Sequence, residues 1–162
     1  MNKVKVSFPQ MGNYGIPINY LLTHILDADI IYPPNITAKT VELGNKYSPF
    51  FVCMPFKYTL GTLIETLDNG ALIILQAGGG CRYGYYSELQ EKILKDLNYK
   101  FRLFNLVTCG KLKIKRIIKI FKKIDPKFKL FKSLYYLFIT ILMIKYMDKI
   151  DDYIRKNVGF EV

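Results

Sequence analysis

Imidazole and thiol are scarce in this 162-residue chain, which holds one histidine and three cysteines. The scarcity excludes several chemistries at once. Three widely spaced cysteines, an odd number, make no disulfide framework and read as reduced cytosolic thiols. There is no Cys-x-x-Cys, which disfavours a zinc ribbon or a thioredoxin-type site. A single histidine, His24, with no acid motif near it, disfavours a Cys–His hydrolase, and it reads as structural. The first strand is expected to begin at Lys3, so the expectation is a cytoplasmic chain without a secretion signal. In the C-terminal segment the longest uncharged stretch, residues 133–144, spans roughly 18 Å as a helix, against the ~30 Å hydrocarbon core of a bilayer. A buried helix is expected there rather than a membrane span. No internal repeat or low-complexity tract is present.

What is present is a globular composition, 51% hydrophobic and 23% charged. The net charge of +11 is unevenly spread. Residues 111–162 hold 14 Lys/Arg against 5 Asp/Glu, or +9, which leaves +2 for residues 1–110. Two units follow: a near-neutral α/β domain over 1–110 and a basic helical segment over 111–162.

Within 1–110, short apolar runs alternate with segments of helical period. Residues 3–8 alternate polar and apolar and stop at Pro9. Residues 29–32 stop at Pro33-Pro34, and 71–75 form a continuous apolar run of strand length, the mark of a central parallel strand. Residues 100–107 make a fourth strand. A short strand is also expected just before Cys53. Helices are expected between these runs: one carrying Ile18, Leu21, Leu22 and Ile25, one capped by Thr37 and reaching about Gly44, one opened by Pro55, and one capped by Ser87. The alternation implies right-handed crossovers and an open parallel sheet of about four strands, flavodoxin-like or Rossmann-like. Beyond it, a helix with apolar residues from Leu112 to Ile124 and a longer one over 129–157 form a C-terminal appendage. The longer helix is expected to bury residues 134–143 against protein.

In such a sheet ligands bind beyond the carboxyl ends of the strands. Cys53 and Cys81 each fall just after an expected strand and just before a helix, so both are expected at one rim. Helix N-termini and glycine amides there favour thiolate and sulfide. The plainer reading of Cys53, after Phe50-Phe51-Val52, is a small buried hydrophobe. It suits Cys81 less, since three glycines, Gly78, Gly79 and Gly80, precede that residue. Cys109 is ambiguous and reads best as structural. The glycine run also suggests an anion site, but Tyr83 stands where Gly-x-Gly-x-x-Gly needs its last glycine, and a P-loop Lys-Ser/Thr is missing. Arg82 suits an anionic group such as a CoA phosphate or a thioester carboxylate, and equally a surface ion pair.

Phe8-Pro9-Gln10-Met11-Gly12-Asn13-Tyr14, Pro33-Pro34, Lys46-Tyr47-Ser48-Pro49, Cys53-Met54-Pro55-Phe56-Lys57 and Gln76-Ala77-Gly78-Gly79-Gly80-Cys81-Arg82-Tyr83-Gly84-Tyr85-Tyr86 together resemble the family related to 2-hydroxyacyl-CoA dehydratases and their activases. The resemblance covers residues 3–107 and continues more loosely over 134–162. It implies an iron–sulfur cluster, [4Fe–4S] or double-cubane, with Cys53 and Cys81 as ligands, and with Gly78, Gly79, Gly80 and Arg82 lining the cofactor site. It implies low-potential electrons from an ATP-dependent activase of actin-like fold, and a CoA thioester as the molecule acted on. Family chains run past residue 162, so it also implies a further lobe or a dimer partner. No substrate base is visible. The rival expectation is a binding or scaffold fragment whose basic helix meets an anionic surface or partner. Nucleic acid is disfavoured because only Phe121 interleaves with the charges of that helix, and a membrane is disfavoured by length.

Overall fold

The computed structural model describes residues 3–76, 83–108 and 111–158. The alternating segment after Met1-Asn2 forms strand β1 (Lys5–Ser7), and a 3-10 turn leads into helix α1 (Gly15–Ile25). Strand β2 (Asp29–Ile30), helices α2 (Ala38–Tyr47) and α3 (Met54–Asp68), strand β3 (Ile73–Gln76), helix α4 (Tyr83–Asp96) and strand β4 (Arg102–Asn105) follow. The four strands pair in the order β2-β1-β3-β4, all parallel. Consecutive β1 and β2 lie side by side, and β3 then joins the opposite edge of β1. The connections leaving β1 and β3 therefore diverge, which makes the gap between their carboxyl ends a topological switch point.

Period-2 alternation sorts the two faces. Val6, Phe8, Ile73 and Leu75 meet Leu22, Ile25, Phe121 and Phe128 on one side. On the other, Ile74 meets Phe56, Leu60, Leu63, Ile64 and Leu94 of α3 and α4. All four residues of β3 are buried, as a central parallel strand requires. The buried Ser7 hydroxyl donates to the Ile31 carbonyl at 2.6 Å, so its polarity is satisfied inside the sheet.

Helix α2 lies over α3, outside the sheet layer. Thr37 caps α2 through a reciprocal pair with Thr40. The two helices approach so closely that a Cβ built on Gly61 falls 2.1 Å from the Thr40 carbonyl oxygen. One built on Gly44 falls 2.1 Å from that of Lys57. Thr40 also donates its hydroxyl to Glu65 at 2.6 Å across this contact.

Four local expectations need correction. Helix α2 continues past Gly44 to Tyr47, and residues 48–53 form a turn, not a strand; Val52 N–H bonds the Pro49 carbonyl. Phe50 and Phe51, 97% and 84% exposed, never reach the sheet. Ser87 does not cap α4, which begins four residues earlier; it sits inside the helix, buried, and accepts from Asn105 Nδ2 at 2.8 Å. The last strand ends at Asn105 and gives way to a small antiparallel pair, β5 (Val107–Thr108) and β6 (Lys111–Leu112).

A fifth correction concerns the appendage. Helix α5 (Ile114–Ile124) covers the sheet beside α1, with Ile120 and Phe121 buried and its basic side chains outside. Asp125 links it to the domain, its carboxylate accepting from the N–H groups of Asp27 at 3.0 Å and Lys127 at 2.8 Å. Helix α6 (Leu130–Asn157) runs antiparallel along the outside of α1, with Tyr136 against Tyr20 and His24, and Tyr14 donating to Asp148. The stripe it seats includes the buried Ser133 and Thr140, both satisfied by carbonyls one turn back. The expected burial of residues 134–143 is reversed. Leu134, Tyr135, Leu137, Phe138, Ile141 and Leu142 are exposed, as is Phe131 at 87%. By length and composition α6 is long and apolar enough to cross a membrane, and 6% of its most apolar 18-residue window is buried.

Candidate functional site at the carboxyl rim

Helix α3 leads directly through residues 69–72 into β3, so it runs against the strands and its N-terminus lies at their carboxyl ends. Cys53 is the residue that caps that N-terminus, and its carbonyl accepts from Phe56 N–H at 3.1 Å. Cys53 reaches the rim although no strand precedes it. Pro55 sits in the first turn of the helix, where its missing N–H costs nothing.

The thiol is exposed, and its sulfur is in hydrogen-bond contact with the Tyr86 hydroxyl. Tyr86 belongs to the first turn and a half of α4, and its ring meets that of Phe56 edge-on at 4.9 Å. One thiol thus joins the start of α3 to the start of α4 on either side of the end of β3. A thiolate at that point accepts the phenolic O–H and sits at the positive end of a helix dipole, the two aids that lower the cost of charge on sulfur.

Behind it runs an amide relay. Gln76, the last residue of β3, donates Nε2–H to Gln90 Oε1 at 2.7 Å, and Gln90 Nε2 points at the Phe56 carbonyl at 3.5 Å. Beside the relay, between the divergent connections of β1 and β3, is a cavity of about 420 Å³. Residues Phe8–Met11 close one side, Leu75 and Gln76 another, and Leu21, Leu106, Thr59 and Phe121 the remainder.

No family model, curated protein or solved structure matches this chain. Its site is therefore argued from its own geometry.

Of the residues singled out in the sequence, Cys53 is placed at the expected rim. Cys81, Gly78, Gly79, Gly80, Arg82 and Cys109 lie outside the described residues. Cys81 stands two positions before the first residue of α4, the helix whose Tyr86 touches Cys53. Among the described residues no three His, Cys, Asp or Glu side chains converge as a metal site. Among the described residues the rim supplies one soft sulfur donor, one hydroxyl donor and one helix N-terminus. His24 is held between Tyr20 and Tyr136 and donates Nδ1–H to the Tyr20 carbonyl at 2.7 Å, a packing role far from the rim.

The sequence offers Tyr86, with Tyr83 and Tyr85, as a ligand contact or as packing support for the glycine turn, and gives neither its contact with Cys53 nor the two glutamines. Gln76 carried a usable signal: an amide closing a run of five apolar residues, at the end of the strand where function concentrates. Gln90 carried none, because its partner lies on another element.

Proposed function

We propose that this chain is an iron–sulfur redox component of the 2-hydroxyacyl-CoA dehydratase type, built on a flavodoxin-type sheet and working in the cytoplasm. The observation that carries the reading is the position of Cys53: an exposed thiol at a helix N-terminus, beside the switch point, with a phenol on its sulfur. The strand order β2-β1-β3-β4 agrees with the flavodoxin-type arrangement, whose ligands lie at this rim.

Cys53 and Cys81 would hold the cluster, and the amides of Gly78, Gly79 and Gly80 would donate to its sulfides. When bound, the cluster supplies one-electron transfer at low potential. The chain's own part is to keep Cys53 ionised through the Tyr86 hydroxyl and the α3 dipole. Phe56 packs against Tyr86 and fixes that hydroxyl in place. Arg82 is assigned to the anionic part of a CoA thioester. An ATP-dependent activase is the electron donor under this reading, and the hydrogen-bonded rim is the surface it must approach.

The test is anaerobic reconstitution of the chain with iron and sulfide, followed by iron and sulfide analysis. A broad visible absorption band is expected, with most of the iron lost in Cys53→Ser and in Cys81→Ser and little lost in Cys109→Ser. Unchanged iron in Cys81→Ser overturns the reading. A second reading, a binding or scaffold fragment, is favoured by the outward basic side chains of α5 and the outward apolar ones of α6. Under it the chain takes up no iron and instead binds anionic surfaces in a manner abolished by salt.

A further inference from the structure

The cavity at the switch point has one feature that cluster binding does not use. Gln76 is 5% exposed, and its Oε1 accepts no hydrogen bond while its Nε2 is committed to Gln90. Every other polar side chain on the lining is occupied. Gln10 donates to the Pro34 carbonyl at 3.0 Å and accepts from Met11 N–H at 2.9 Å. The Thr59 hydroxyl donates within its own helix, to Pro55 and Phe56 carbonyls. Gln76 Oε1 is thus an orphaned acceptor on a lining that otherwise consists of groups such as Phe8, Leu21, Leu75 and Phe121. Exchanging its two amide atoms does not cure the deficit, because that sets an amide oxygen against Gln90 Oε1.

Buried acceptors are rarely left without a donor, and each exception calls for a partner. Among the described residues no charged side chain lines the cavity, and an ionic group entering it would find no counter-charge on them. A volume of about 420 Å³ accepts a ring-sized molecule, and pockets of this kind pair an apolar wall with few fixed polar groups.

We propose that this cavity binds a small, neutral, mainly apolar molecule bearing one N–H or O–H group, which donates to Gln76 Oε1. The apolar body lies against Phe8, Leu21, Leu75 and Phe121. The site is separate from the sulfur of Cys53 and does not rest on the cluster reading; it stands equally if the chain binds no iron.

Phenol and anisole make a matched pair of probes, alike in shape and differing in the donor. Titration of iron-free protein, followed by methyl NMR, is expected to shift the Ile18, Leu21, Leu22, Leu75 and Leu106 methyls, with phenol binding about tenfold tighter than anisole. In Gln76→Leu the two probes are expected to bind alike. In Leu21→Trp, which fills the cavity and leaves the Gln76–Gln90 pair intact, both are expected to be lost while the unfolding transition is kept. Equal binding of the two probes by the unaltered protein overturns the proposal. So do shifts at other methyls, or no shifts at the solubility limit, the result expected if water alone satisfies Gln76.

Discussion

Replacing Gly61 with alanine places a methyl group where the α2 backbone already is. Alanine is the better helix former by about 1 kcal/mol, so at an ordinary mid-helix position the change stabilises. Here the new Cβ would lie 2.1 Å from the Thr40 carbonyl oxygen and 2.9 Å from its carbon. Neither atom belongs to a side chain that can rotate away. Restoring an ordinary contact of roughly 3.2–3.4 Å moves α2 outward by about 1 Å, close to the shifts seen when cores are overpacked at a cost of about 1–3 kcal/mol. The same shift lengthens the 2.6 Å bond from Thr40 to Glu65, a charge-assisted bond worth about 1.5–3 kcal/mol. Set against the propensity gain, the net is a loss of about 2–4 kcal/mol, a large share of a small domain's typical stability. Urea unfolding followed by circular dichroism measures it: the midpoint falls by roughly 1–2 M with the slope unchanged. Gly44→Ala, which meets the Lys57 carbonyl at 2.1 Å, acts in the same direction. The double variant loses less than the sum, because one displacement of α2 relieves both clashes. A midpoint raised by Gly61→Ala refutes the close approach of the two helices.

Tyr99 is held neutral by burial and by its bond to Asp68 at 2.7 Å, and its pKa is pushed up to about 12. The unfolded chain loses that proton near pH 10, so between about 10 and 12 the folded state holds more protons and stability falls as pH rises. A tyrosinate absorbance titration is expected to show one late tyrosine, absent from Tyr99→Phe. Asp125→Ala removes the acceptor of two backbone N–H groups and is expected to cost about 1.5–3 kcal/mol in urea unfolding, with no change for the exposed Asp148→Ala beyond about 0.5 kcal/mol. Phe138→Gln on the outer side of α6 is expected to stay within about 0.5 kcal/mol of the unaltered protein, whereas a buried phenylalanine such as Phe56→Gln costs several.

The sheet was legible because its signals are local. Apolar runs at 3–8, 29–32, 71–75 and 100–107 each overlap one of the four parallel strands, and the fully buried β3 was marked by an unbroken run. Thr37 and Pro55 declared the starts of α2 and α3 through their own backbone chemistry. The expected strand before Cys53 failed because Phe50-Phe51-Val52 is apolar enough for a strand while Pro49 turns it away from the sheet. Ser87 failed because a serine's capping preference says nothing about a partner such as Asn105 on another element. At the rim, Cys53 and Tyr86 were legible as candidates, while the contact between them and the Gln76–Gln90 pair depend on how α4 packs against α3 and β3. Helix α6 was legible in length and misread in orientation. Composition gives a helix its amount of apolar surface, and the direction that surface faces depends on what its neighbour α1 presents.

That orientation has a practical corollary for anyone trimming the protein to improve its handling. Cutting before Leu130 to discard the sticky outer side of α6 would lay bare the flank of α1 on which Tyr136 now rests, uncovering Tyr20, His24 and Ile16. The shortened chain trades one adhesive surface for another and forfeits the Tyr14–Asp148 tie as well. Substituting Phe131, Leu134 and Phe138 with polar residues in place removes the adhesion and leaves the seat on α1 untouched.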